Sequence, residues 1–176
     1  PDGKFQRLTS QENLPGDRVG AWFQSRDGGI WVGVDHGGLV LLRDRRFHVI
    51  GPAEGLPART ALSVCEDAGG TIWIGTAGGG LCRWRDGKIQ SFDVGASAAA
   101  NFIFSIAPRA DGGLWLSAAA GEDLYQFQNG RVQRASWDIH GIKSMLTDRA
   151  GRVWMGTKNG VALGARRYGL IGGGGH

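Results

Sequence analysis

The sequence predicts an all-β chain, a β-propeller built of four-stranded antiparallel blades, and three observations lead there. Four Trp recur at Trp31, Trp73, Trp115 and Trp154, spaced 42, 42 and 39 residues. Glycine supplies 32 of 176 residues, so breakers fall too often for two helices per repeat. Within a repeat, short period-2 runs alternate with turn chemistry, the pattern of a radially repeated sheet.

The text around each Trp recurs. It reads Asp27-Gly28-Gly29-Ile30-Trp31-Val32-Gly33, then Gly69-Gly70-Thr71-Ile72-Trp73-Ile74-Gly75-Thr76. The third copy is Asp111-Gly112-Gly113-Leu114-Trp115-Leu116-Ser117, and the fourth Ala150-Gly151-Arg152-Val153-Trp154-Met155-Gly156-Thr157. Asp2, Asp44 and Asp86, also 42 apart, each open a turn before a strand. In the best-formed repeat the predicted strands are 61–66, 71–76, 81–85 and 88–92. Outer strands are predicted at 4–8, 46–50, 88–92 and 131–135, and the last repeat runs 142–147, 152–157 and 161–164. That repeat has no outer strand after it, whereas 4–8 precedes every inner strand. Strand 4–8 is therefore expected to close the last blade, in cis as a four-bladed ring or in trans as a two-chain ring, hiding both open edges. Blade repeats of about 19–50, 61–92, 102–135 and 142–166, plus strand 4–8, make one domain over 1–171, and 172–176 reads as a tail.

Composition limits the function classes. The net charge is +4, and the densest basic groups, Arg43/Arg45/Arg46 and Arg166/Arg167, are too short for a nucleic-acid footprint. No apolar run is long enough to cross a membrane, so no direct membrane insertion is expected of this segment. The chain starts at Pro1 rather than Met, with no signal-peptide pattern, and reads as a processed or excised piece. Cys65 and Cys82 show no zinc spacing, and no metal or cofactor is expected. Cys65 aligns with Phe23, Ala107 and Leu146, so it is expected to be a small buried apolar residue on a strand not adjacent to that of Cys82. Two free thiols weigh slightly against an extracytoplasmic home.

The four Trp are expected to fill the wedge between neighbouring blades rather than to meet a ligand. Gly33, Gly75 and Gly156 are expected to let the next sheet approach closely. The third copy departs with Ser117-Ala118 and a longer loop at 119–123, where local divergence is expected.

Glu54-Gly55-Leu56-Pro57, Ser63-Val64-Cys65-Glu66-Asp67, Gly70-Thr71-Ile72-Trp73-Ile74-Gly75-Thr76 and Gly79-Gly80-Leu81 together resemble a unit of the two-component regulator propeller repeat family. The first copy follows with Asn13-Leu14-Pro15, Trp31-Val32-Gly33 and Gly37-Gly38-Leu39, and the fourth with Trp154-Met155-Gly156-Thr157 and Asn159-Gly160-Val161. The third lacks the "GLP" turn and the "GT" pair and is placed by spacing. The resemblance implies the sensor region of a bacterial receptor in the periplasm, ahead of a membrane helix and a signalling output, often for carbohydrates. It also implies larger rings than four blades, which favours closure by two chains over closure by one. The repeat motifs are scaffold and name no ligand.

Variation between copies marks the candidate site. Ahead of the inner strands stand Asp17-Arg18, Arg59-Thr60, Asn101-Phe102 and His140-Gly141; after the Trp strands stand Asp35-His36, Ala77-Gly78, Ala119-Ala120 and Lys158-Asn159. Both loop sets of a propeller lie on one face, around the channel mouth. Arg18, His36, Arg59, Asn101, His140, Lys158 and Asn159 are thus the expected ligand-binding residues, for a carbohydrate or another small molecule. No catalytic residue is assigned, because no Ser-His-Asp set, metal triad or carboxylate pair follows from spacing. An interaction or dimerisation platform without small ligand, and a propeller lyase or hydrolase, remain the alternative readings. The expected partners are a second copy or the remainder of a parent receptor, and no nucleic acid.

Overall fold

The computed structural model describes residues 9–10, 14–16, 18–95, 97–137 and 139–164. Among these residues fifteen strands form four antiparallel sheets, each in plain sequence order. The first holds β1 (Val19–Gln24), β2 (Ile30–Val34), β3 (Gly38–Arg43) and β4 (Arg46–Ile50). The second holds β5 (Ala61–Glu66), β6 (Ile72–Thr76), β7 (Leu81–Arg85) and β8 (Lys88–Phe92). The third holds β9 (Ile103–Pro108), β10 (Leu114–Ala118), β11 (Asp123–Gln128) and β12 (Arg131–Arg134). The fourth holds β13 (Ile142–Thr147), β14 (Val153–Thr157) and β15 (Gly160–Gly164). These are four blades of a β-propeller. The predicted strand 4–8, and with it the closure of the fourth blade, lies outside the described residues.

Turn chemistry sets the strand ends. Asp44-Arg45, Asp86-Gly87 and Asn129-Gly130 join the third and fourth strands of their blades, with positive φ at all six residues. Such two-residue turns need that conformation twice, which is why Asp, Asn and Gly stand there. Each inner strand carries an irregularity at the same place, between residues 19 and 21, 61 and 63, 103 and 105, and 142 and 144. The repeat therefore extends to the backbone.

Apolar residues collect at three joints between successive blades. In the first, Trp31, Leu39, Leu41, Ile50 and Phe23 meet Ala61, Val64, Ile72, Ile74, Cys82 and Ile89 of the second blade. In the second joint, Cys65, Trp73, Leu81 and Phe92 meet Ile103, Ile106, Leu114, Leu116 and Tyr125. In the third, Ala107, Trp115, Leu124 and Ala135 meet Ile142, Met145, Val153, Met155 and Ala162. The same alignment columns recur each time, so one interface is used three times. Trp31 packs edge-on against Trp84, Trp73 against Phe127, both at 5.1 Å between ring centres, and Trp115 lies 4.6 Å from Trp137. Trp154 departs from the expected wedge: it is only half-buried, because no described sheet follows its own.

A polar anchor holds these rings. The indole N–H of Trp73 donates to Asp67 Oδ2 at 2.7 Å and that of Trp154 to Asp148 Oδ2 at 2.9 Å. The same carboxylates accept backbone N–H bonds across their turns, from Gly69 and Thr71 and from Ala150 and Arg152. In the first blade Ser25 takes this place, accepting from Trp31 Nε1 at 3.1 Å while donating to Asp27 at 2.6 Å. In the third, Arg109 lies over the Trp115 ring instead, 4.9 Å from its centre. A buried indole N–H needs a partner, and the turn six residues upstream supplies it.

The close approach expected at the glycines is seen twice. A Cβ on Gly33 would stand 2.5 Å from the Ala61 carbonyl oxygen, and one on Gly75 would stand 2.6 Å from that of Ile103. Gly156 meets only Ser144 of its own blade, since no described sheet follows it. Ser117 at the third position is fully buried and directs Oγ toward Ile142 O at 3.5 Å. Both thiols are free and buried, Cys65 at the second joint and Cys82 at the first. Burial pushes Cys65 far up and Cys82 to about 11.

Candidate functional site

The loops ahead of the inner strands and those after the Trp strands meet on one face. Within a blade, Asp35 N–H donates to Arg18 O at 2.9 Å, Ala77 N–H to Thr60 O at 3.1 Å, and Lys158 N–H to Gly141 O at 3.0 Å. Between blades, Gly38 N–H donates to Arg59 O at 2.7 Å and Gly80 N–H to Asn101 O at 3.0 Å. The Gly55-Leu56-Pro57 turn belongs here too. Gly55 has φ +96°, which favours glycine, and Leu56 behind it is buried in the first joint.

Two carboxylates organise polar clusters on this face. Asp35 accepts from Thr60 Oγ1 at 3.0 Å and pairs with His36 Nδ1 at 3.0 Å and Arg18 at 3.6 Å. Thr60 Oγ1 in turn accepts the His36 N–H at 3.0 Å. On the far side, Glu122 pairs with Lys158 Nζ at 2.9 Å and lies 3.9 Å from His140 Nδ1. The Lys158 hydrogen bond and charge hold the Glu122 carboxyl below its ordinary value, helped by His140 and Lys143. Between the clusters the floor is Gly78 and the exposed Phe102 ring, 3.3 Å from where a Gly78 Cβ would stand.

A groove of about 390 Å³ opens where the third blade meets the fourth, lined by Glu122, Asp123, Arg134, Trp137 and His140 among others. Arg134 Nη2 donates to Asp123 Oδ1, and Tyr125 Oη donates to Asp123 Oδ2 at 3.4 Å. Carboxylates, a guanidinium and an indole around one concavity offer acceptors, donors and an apolar plate together. That set suits a ligand carrying several hydroxyls and a C–H face. Among the described residues no group of three or more His, Cys, Asp or Glu is placed to hold a metal ion.

The seven expected residues divide. His140 lines the groove and Lys158 reaches its rim through Glu122. Arg18 and His36 gather around Asp35, in the other cluster. Arg59 is exposed, and its side chain makes no hydrogen bond or ion pair among the described residues. Asn159 is exposed and donates its backbone N–H to Thr157 Oγ1 at 3.3 Å. Asn101 serves the frame: its Oδ1 accepts the Val94 N–H at 3.0 Å, and its carbonyl takes two glycine N–H groups. Sequence reasoning missed Glu122, Asp123, Arg134 and Trp137. The longer loop of the third copy, 119–123, was the only signal for Glu122 and Asp123, and Arg134 and Trp137 had none.

Comparison with known proteins agrees with this architecture. Residues 55–78 match the repeat described as "Two component regulator propeller". No curated protein matches the chain in sequence. The extracellular domain of a hybrid two component system from B. thetaiotaomicron is 23% identical, with a TM-score of 0.69 over 85% of this chain and 21% of that one. Virginiamycin B lyase from Staphylococcus aureus, with quinupristin, is 15% identical, with a TM-score of 0.67 over 84% of this chain and 52% of that one. A gluconolactonase from Xanthomonas campestris is 14% identical, with a TM-score of 0.62 over 82% of this chain and 58% of that one. The chain thus spans about a fifth of the sensor domain's length and about half of the lyase's. At such identities the likeness is one of fold. No helix among the described residues is long and apolar enough to cross a membrane. Residues 55–78, the turn before the second blade and its first two strands, are thus similar to the two-component regulator propeller repeat.

Proposed function

We propose that the chain is a ligand-sensing propeller module of a bacterial signal-transduction receptor, lying in the periplasm, and that it takes a small polyhydroxylated molecule or glycan on its mouth face. The observation that carries this reading is the groove of about 390 Å³, lined by Glu122, Asp123, Arg134 and His140 together with Trp137. Hydroxyls can donate to the carboxylates and accept from the guanidinium, while a sugar's C–H face packs on the indole. The repeat at residues 55–78 and the likeness in fold to a sensor's extracellular domain support the receptor context.

A thermal-shift screen with monosaccharides and oligosaccharides tests it, since a ligand that binds only the folded state raises the melting temperature. Arg134→Ala and Glu122→Gln are expected to abolish the shift of any hit while leaving the unliganded melt nearly unchanged. Arg59→Ala is expected to weaken a ligand that extends to the channel mouth, by about 1.5–3 kcal/mol for a lost charged hydrogen bond. A panel with no shift, or a shift that survives both groove substitutions, would refute the proposed site. Turnover of a hit would convert the reading to a propeller lyase or hydrolase.

A further inference from the structure

The middle of the mouth face differs in chemistry from its two sides. After their Trp strands the first and fourth blades carry Asp35-His36 and Lys158-Asn159, but the second and third carry Ala77-Gly78 and Ala119-Ala120. Small apolar side chains thus replace polar ones at the centre. Two rings stand open beside them, Phe102 at 40% and Phe104 at 37% exposure. Ile103 between them is fully buried, so alternation along the chain leaves both rings on the open side. Phe102 also bridges Ala77 of the second blade, which ties the strip to the loop in front of it.

Two cations flank the rings, and neither has an ion pair among the described residues: Arg59 from the second blade and Lys143 from the fourth. The carboxylates of this face are already engaged, Asp35 with Arg18 and Glu122 with Lys158. Lys143 holds the position of Phe104 in the next copy, and Met145 N–H donates to Ser105 Oγ at 2.9 Å, so β13 and β9 lie side by side there. On the other side Thr60 O accepts the Ala77 N–H, and Ala77 pairs with Phe102. Arg59 thus starts about two strand spacings, roughly 10 Å, from Phe102. We propose that this strip is a second binding site, for an aromatic carboxylate whose ring lies on Phe102 and Phe104 and whose charge is held by Lys143 and attracted by Arg59. Rings pair with rings in offset or edge-on contact. A polyol would need hydroxyl partners that Ala77, Gly78, Ala119 and Ala120 lack in their side chains. The uncompensated positive charge on both flanks selects an anion over a neutral aromatic.

Saturation-transfer NMR and calorimetric titration of the full chain with phenylacetate, at low salt, test this. Transfer is expected to be strongest at the ring protons and to vanish in Phe104→Ala. Lys143→Gln, an exposed change that leaves the fold intact, is expected to weaken binding about fivefold, and Arg59→Gln about twofold. Benzyl alcohol and acetate, each lacking one half of the ligand, are expected to bind more weakly than phenylacetate. Arg134→Ala is expected to change nothing, since Arg134 lines the separate groove beside Trp137, so this site and that groove are tested independently. No binding of phenylacetate at millimolar concentration would overturn the proposal. So would equal affinity for benzyl alcohol or acetate, binding untouched by Lys143→Gln, or loss of binding in Arg134→Ala.

Discussion

Replacing Gly75 by Ala tests the joint between the second and third blades at its tightest point. The added methyl would lie 2.6 Å from the Ile103 carbonyl oxygen and 2.7 Å from Ile103 Cβ, and closer still to Ser63 Oγ. Ordinary contact begins near 3.4 Å, so the inner strand of the third blade must retreat by roughly 0.8 Å. Ile103 is fully buried among Trp73, Leu81 and Leu116, so it has no space to move into. Overpacking of this kind costs about 1–3 kcal/mol. The Ser63 Oγ hydrogen bond to Ile103 O, 3.0 Å long, is lost as well, at about 1 kcal/mol. Together these give about 3 kcal/mol, or roughly 6–12 °C in melting temperature for a domain of this size. Urea melts followed by Trp fluorescence measure it. Ser63→Ala in the same chain removes the hydroxyl clash but not the carbonyl one, and is expected to restore less than half of the loss. Gly87→Ala is the control, since its Cβ meets nothing within 4 Å and φ is +75°; it should cost only the left-handed strain, about 1 kcal/mol. A Gly75→Ala cost no larger than that of Gly87→Ala would refute the close approach of the two blades.

Trp73→Ala is expected to cost about 3–5 kcal/mol, the range for a buried aromatic, and a loss below about 1 kcal/mol in a denaturant melt would mean an exposed ring. The Asp148 carboxyl is held far below its ordinary 3.8, chiefly by the Trp154 N–H, with Arg152 and Ala150 also donating to it. Its stabilising effect is therefore complete above that pH and lost as acid protonates it. Urea midpoints measured from about pH 5 down to about pH 2 should fall less steeply for Asp148→Asn than for the parent; equal slopes would refute it. Cys65 and Cys82, buried and with raised values, are expected to resist a disulfide reagent at about pH 8 in the native chain and to react together on unfolding; rapid native labelling of Cys65 would contradict its place in the joint.

Features carried by a few neighbouring residues were legible before any coordinates. The strand limits differ from the sequence reading by a residue, β6 beginning at Ile72, β14 at Val153 and β12 ending at Arg134. Alternation and Asp-Gly turns are local, and four copies average out their noise. The burial of Cys65 was legible for the same reason, through its aligned partners. The candidate site was harder. Glu122 and Lys158 stand 36 positions apart and meet only because successive blades fan around a centre. Asn101 looked like a free donor, yet its side chain caps the Val94 N–H, which nothing in the local pattern announces. Arg134 and Trp137 were invisible because they belong to an outer strand and its following loop, whereas variation was sought only ahead of the inner strands and after the Trp strands. Trp154 shares the motif of its three counterparts, but no described sheet follows its own, so its burial could not be read from the motif.

The three joints have a consequence for how the molecule opens. Each is made by two adjacent repeats alone, so stability is a sum of nearest-neighbour terms rather than the property of one shared core. Among the described residues, the second and third blades are gripped on both sides, the first and fourth on one. Amide exchange should therefore be slowest in β6 and β10, in the two middle blades, and quicken toward β1 and β15, with the end blades peeling away while the middle pair holds. A contact on an outer blade shifts that peeling equilibrium directly. A perturbation at β6 must first break two joints, so a partner or ligand touching the ends acts on the softest coordinate the arc possesses.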